Sequence, residues 1–175
     1  ARLAAVTTAL SGGALAGPAG LAAGDPIADT IAQAGGSAAA SGAIELPIDP
    51  GAAFDYASAF LMRGDYPRAR EAFELYVKSF PNHPRTADAQ FRLGEIYLAT
   101  GADAEAADAF VSHIRKYPSD PRAAEAYLKL GTAFSRMQQT AEACQVFKTM
   151  RTKFKSVATA VQQSADGEMS RLNCK

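Results

Sequence analysis

A step of 37 residues organises this chain beyond residue 50. Leu93-Gly94 returns as Leu130-Gly131, and an aromatic column runs through Phe60, Tyr97 and Phe134. Ala69, Ala106 and Ala143 keep the same interval, as do Phe73, Phe110 and Phe147, and then Phe80, Tyr117 and Phe154. Pro81 and Pro118 hold the register, with Pro84 and Pro121 behind them. So many matching columns over three copies imply a repeat architecture, in which each unit has an apolar face that only its neighbour can cover.

Each copy reads as two helices. Phe91, Leu93, Gly94, Tyr97 and Leu98 recur at helical spacing, and so do Ala106, Ala107, Phe110, Ile114 and Tyr117. Pro67, in the column of Ala104 and Ala141, falls in the first turn of a second helix, where a missing N–H costs nothing. Asp103 and Thr140 are expected N-caps, Tyr66 is a poor one, and Asp120 before Pro121 repeats the start signal. Gly64 and Gly101 suit the bend between paired helices. Gly94, Gly131 and Ala57 are expected where the two helices of a hairpin approach most closely. A last amphipathic stretch places Val157, Val161, Ala165, Met169 and Leu172 on one side and reads as a capping helix over residues 156–173.

The first 50 residues differ in kind. They hold one basic residue, Arg2, and no aromatic, and they are mostly Ala and Gly. Such a segment cannot bury enough apolar area to offset chain entropy, so residues 1–50 read as a flexible linker. Leu3–Ala23 is too polar and too broken for a good signal-peptide core, and the initial Ala in place of Met reads as processing. Net charge is zero, and no basic stripe of the kind that binds nucleic acid is present. No apolar run reaches bilayer length. Paired carboxylates, a nucleophile triad and a phosphate loop are all missing, so a non-enzymatic protein without a cofactor is expected.

The repeated residues resemble the tetratricopeptide signature: small residues at the close crossing, aromatics around it, and a Pro closing the second helix. The copies, about 50–83, 84–120 and 121–155, are longer than the usual repeat because their connectors, Phe-Pro-Asn-His-Pro and Tyr-Pro-Ser-Asp-Pro, are longer. Lys155 replaces the closing Pro of the third copy, which predicts a sixth helix running into the cap with little break. The expected fold is all-α, a superhelix of three hairpins plus the cap over residues 51–175. In that geometry the first helices line a concave docking face. It is expected to carry Asp88, Phe91, Glu95 and Leu98, with Leu128, Thr132 and Arg136 from the third copy and Met62 from the first. A core role for Phe91 and Leu128 is the competing reading. A mixed apolar and acidic groove suits a peptide with apolar anchors.

The run from Phe80 to Phe110, then Tyr117–Phe134, then Glu142–Phe147 and the terminal Arg-Leu-Asn-Cys-Lys resemble the C-terminal domain of the CpoB/YbgF family. These are cell division coordinators associated with the Tol-Pal system. The resemblance covers residues 51–175, and the two cysteines look like an alphaproteobacterial form. It implies a periplasmic protein made with a signal peptide, binding to TolA and the peptidoglycan synthesis machinery, and trimerisation where a coiled coil precedes the linker. No heptads precede residue 51. A different bacterial repeat scaffold is the alternative, such as an outer-membrane assembly lipoprotein or a cytosolic co-chaperone. The former would be expected to show an N-terminal lipidated Cys and about five repeats.

Cys144 and Cys174 are the only cysteines. A capping helix folded back on the third repeat brings them together as a disulfide; two free thiols in a reducing compartment are the other outcome. Two cysteines do not make a metal site. His83, in a connector, and His113, at an inter-repeat packing position, read as structural.

Overall fold

The computed structural model describes residues 43–175. Most of the expected linker, with Leu3–Ala23, lies outside the described residues. Seven helices and no strand occur among the described residues: α1 Pro50–Met62, α2 Tyr66–Ser79, α3 Thr86–Thr100, α4 Asp103–Lys116, α5 Ala123–Arg136, α6 Thr140–Lys153 and α7 Thr159–Arg171. Each packs on the next, and α7 folds back on both α5 and α6. This is the all-α stack of three hairpins and a cap.

Local chemistry sets the helix ends. Asp49 caps α1, accepting the Ala52 N–H at 2.8 Å, with Pro50 in the first helical position. Asp65, one residue before Tyr66, caps α2 through the Arg68 N–H at 3.3 Å. The expected caps of α4 and α6 are corrected. Asp103 and Thr140 are the first helical residues, and Ala102 and Gln139 precede them with no side-chain cap. Asp120 instead holds a turn, accepting the Arg122 N–H at 2.8 Å, and α5 starts at Ala123.

The bends inside the hairpins share one column and one conformation. Gly64 and Gly101 have φ of 73° and 76°, and in the third copy Gln138 adopts φ 62°. Each hairpin then exits through an aromatic: the N–H groups of Phe80, Tyr117 and Phe154 donate to the carbonyls of Tyr76, His113 and Met150. Phe154 makes this turn without a proline, resting on Tyr127 at 5.6 Å between ring centroids. The expected run of α6 into the cap is therefore corrected: residues 154–158 break the helix.

Packing follows the small columns. A Cβ added to Gly94 would lie 2.6 Å from the Phe110 ring, and one on Gly131 would collide with Phe147 in the same way. Phe73, Phe110 and Phe147 have no exposed surface. Burying a side chain of this size contributes about 1.5–3 kcal/mol, so this single column is a main source of cohesion. Ile44 is buried in the first core cluster, Leu46 packs against that cluster, and the Ile44 N–H points at Glu71. The compact unit thus begins at Ala43, ahead of the expected boundary at residue 51.

At the other end, Ala165 of α7 is buried against Phe147 and Met150, with Val161, Met169 and Leu172 around it. Cys144 and Cys174 are joined, their Cα atoms 5.4 Å apart.

Candidate protein-docking face

α1, α3 and α5 contribute the residues of the expected concave face, and the structure sorts them into three groups. Phe91 and Leu98 are buried, at 1% and 9% exposure, which decides Phe91 for its core reading and corrects Leu98 from face to core. Phe91 stacks edge-on against Phe110 and His113 at 5.7 and 5.6 Å. Two cations lie over its ring, the Arg122 guanidinium at 4.8 Å and the Lys129 ammonium at 5.8 Å. It is a floor closed by charge and offers no open apolar anchor.

Asp88 and Glu95 are half-buried and paired. Asp88 accepts from Arg122 and lies 3.4 Å from Arg92. Glu95 bonds Arg92 at 2.9 Å and Lys129 at 3.1 Å, and Lys129 also reaches Glu125 at 3.6 Å. Three carboxylates (Asp88, Glu95, Glu125) thus face three cations (Arg92, Arg122, Lys129), so the expected acidic groove is corrected to a neutral one.

The third group stays accessible. Leu128 and Thr132 are half-buried on α5, the Thr132 hydroxyl donating back to the Leu128 carbonyl at 3.0 Å. Met62 is 81% exposed at the end of α1. Arg136 is exposed yet engaged, donating to the Leu98 carbonyl at 2.7 Å with Asp103 at 3.5 Å. It stitches the second hairpin to the third.

Arg85, Arg92, Arg122 and Lys129 were missed in the sequence, and the 37-residue step offered a signal for them. Arg85 and Arg122 occupy one column, each following a connector proline, and Arg92 and Lys129 occupy another. Arg85 lies 3.9 Å over Phe54 and pairs with Asp55, as Arg122 lies over Phe91 and pairs with Asp88. The third position of the Arg85 column is Thr159, so Leu128 has no such cation over it.

The histidines are structural in placement. His113 is fully buried, with Nδ1 against the Ala87 carbonyl at 3.1 Å and Nε2 3.7 Å from Asp120. Burial pushes its pKa below the usual imidazole value, with Asp120 acting in the opposite sense. His83 accepts the Arg85 N–H at Nδ1 and meets the Tyr76 hydroxyl there at 2.9 Å. No group of three or more His, Cys, Asp or Glu that could hold a metal occurs among the described residues. None of their helices is long and apolar enough to cross a membrane.

Stacked hairpins with a lined inner face define a tetratricopeptide-repeat protein, a protein-interaction module. Solved structures share the fold. The second tetratricopeptide domain of human RPAP3, in complex with the HSP70 peptide SGPTIEEVD, is 21% identical with a TM-score of 0.57, over 73% of this chain and 100% of that one. A Podosopora anserina putative kinesin light chain with nearly identical TPR-like repeats is 18% identical with a TM-score of 0.58, over 84% and 77%. MamA from Desulfovibrio magneticus RS-1 is 22% identical with a TM-score of 0.52, over 71% and 74%. No curated protein is similar enough in sequence to count as a relative. The family described as "YfiO: Outer membrane lipoprotein" matches residues 48–169, well over half of the chain. The chain belongs to the YfiO family.

Proposed function

We propose that this module works in the periplasm, coordinating peptidoglycan synthesis with outer-membrane constriction through the Tol-Pal system. Its partners are then TolA and the peptidoglycan synthesis machinery. The reading rests on the resemblance of residues 51–175 to the CpoB/YbgF repeat domain. The family's outer-membrane description favours the cell envelope. The Cys144–Cys174 bridge suits an oxidising compartment.

The observation that carries a docking role is the accessible strip Leu128, Thr132 and Arg136 beside a neutral ion-pair lattice. Structural kin such as the RPAP3 domain hold a peptide. Here the lattice consumes the local cations, so capture of a terminal carboxylate is disfavoured, and an internal segment with an aliphatic anchor over Leu128 fits better.

Calorimetric titration of the chain with the purified periplasmic part of TolA tests the assignment. Saturable 1:1 heat is expected. Absence of binding at high micromolar concentration would remove the Tol-Pal reading. The outer-membrane description also favours a second reading, a scaffold of outer-membrane protein assembly. Binding to that machinery with none to TolA would select it.

A further inference from the structure

The first helix of the stack leaves one face uncovered. Ala52, Tyr56 and Ala59 follow one another along it, with Ile48 just ahead of its N-cap Asp49 and Met62 at its last residue. Ile48 is 95% exposed and Tyr56 38% exposed. The same columns are closed in later hairpins. Ala89, Leu93 and Ile96 of α3 are buried in the cluster that α1 and α2 supply. Ala126, Leu130 and Ala133 of α5 are buried in the cluster that α3 and α4 supply.

The covering helices show what such a face accepts. α2 contributes Val77 to the first cluster, and α4 contributes Val111 and Ile114 to the second. A polar register accompanies the first of these junctions: the Tyr97 hydroxyl donates to Glu74 of α2 at 2.6 Å. On α1 the corresponding ring is Phe60, with Arg63 and Arg68 at 5.1 and 5.3 Å from its centroid. Arg68 pairs with Asp65, whereas Arg63 makes no ion pair among the described residues.

We propose that this α1 face docks an amphipathic helix of a partner protein. That helix carries a carboxylate to meet Arg63 and, three residues on, a branched aliphatic side chain, as α2 presents Glu74 and Val77 to α3. Two other occupants fit less well. In residues 1–42 the only carboxylates, Asp25 and Asp29, are followed at that spacing by Ala28 and Ala32. In a second copy the same face offers only Asp55, followed at that spacing by Ser58, and its own helices of the right pattern are already buried in its stack.

The test uses a fluorescent, hydrocarbon-stapled peptide with the sequence Tyr66–Ser79, titrated into the full chain and read by anisotropy. Saturable binding is expected. Tyr56→Lys and Ala52→Asp, both surface changes checked for helicity by circular dichroism, should each weaken it at least tenfold. Arg63→Glu should weaken it about tenfold, and a peptide carrying Glu74→Lys should restore binding to that variant. No saturable binding, or equal affinity for the Tyr56→Lys chain, overturns the proposal. Hydroxyl-radical footprinting separates the other occupants. Tyr56 and Met62 should react in the free chain and be protected by the peptide. Protection without peptide at every concentration would assign the face to the chain's own residues, and protection rising with concentration would assign it to a second copy. Either result contradicts a partner helix. Failure here leaves the concave-face assignment untouched, because that is read from TolA binding.

Discussion

Arg122 of the third hairpin lies 4.8 Å over the ring of Phe91 in the second, and it also bonds Asp88. Arg85 stands in the same relation to Phe54 one repeat earlier. At both of these junctions an arginine of the following hairpin therefore covers an aromatic of the hairpin before it. Arg122→Ala should lower unfolding free energy by about 1–2 kcal/mol, from the lost cation–π contact and the lost bond to Asp88, which keeps only Arg92 as its partner. Urea denaturation measures the loss, and binding of an apolar dye to the folded variant should rise as Phe91 becomes accessible.

The hairpin crossing has no spare volume. Gly94→Ala would put a Cβ 2.6 Å from the Phe110 ring, so stability should fall by roughly 1–3 kcal/mol. Gly131→Ala should behave alike. Ala57→Gly, in the equivalent column, should cost less, since it only trades helix propensity and a small void.

Gln138 holds the left-handed conformation that Gly64 and Gly101 hold in the earlier copies. A side chain there is strained by about 1 kcal/mol. Gln138→Gly should therefore raise the thermal midpoint, while Gly101→Gln should lower it.

The Cys144–Cys174 bridge ties α6 to the tail three residues past the end of α7, across 30 residues. Removing it should cost roughly 3–4 kcal/mol by the loop-entropy argument. In the Cys144→Ser/Cys174→Ser variant, hydrogen exchange should accelerate mainly in α7, which has a single fully buried residue, Ala165. Thiol titration of the denatured, unreduced wild type should find no free cysteine.

His113 predicts a pH response with a definite sign. Its folded-state pKa is lowered, chiefly by burial. The unfolded chain therefore binds more protons as pH falls below the free imidazole value of about 6.5, and stability contributed by the neutral ring is lost in that window. Asp120 and Asp88 oppose the shift, and Arg122 reinforces it. Urea midpoints should drop between about pH 6.5 and pH 5. His113→Met, which copies Met150 of the same column into the second repeat, should flatten that slope.

The periodic part of this fold was legible because the repeat writes the same columns three times. Ion pairs between hairpins were not, since Arg122 and Asp88 lie 34 residues apart and nothing local couples them. Leu98 was expected on the docking face, and Phe91 was left open between face and core, because the helical count fixes a direction and leaves depth open; the cations above Phe91 close it. Ile44 lies in a stretch without period, so its burial as a strap on the first hairpin left no trace in the pattern. The bridge between the cysteines followed from the cap folding back, which the amphipathic spacing did disclose.

The docking role of the inner face is tested most directly by one affinity. Glu95→Gln/Arg136→Gln removes two charges from that face and keeps the apolar core. Under the proposed Tol-Pal assignment, the double variant should bind TolA at least tenfold more weakly than the wild type, with helical content unchanged. Equal affinity in the two proteins would contradict the assignment of the concave face.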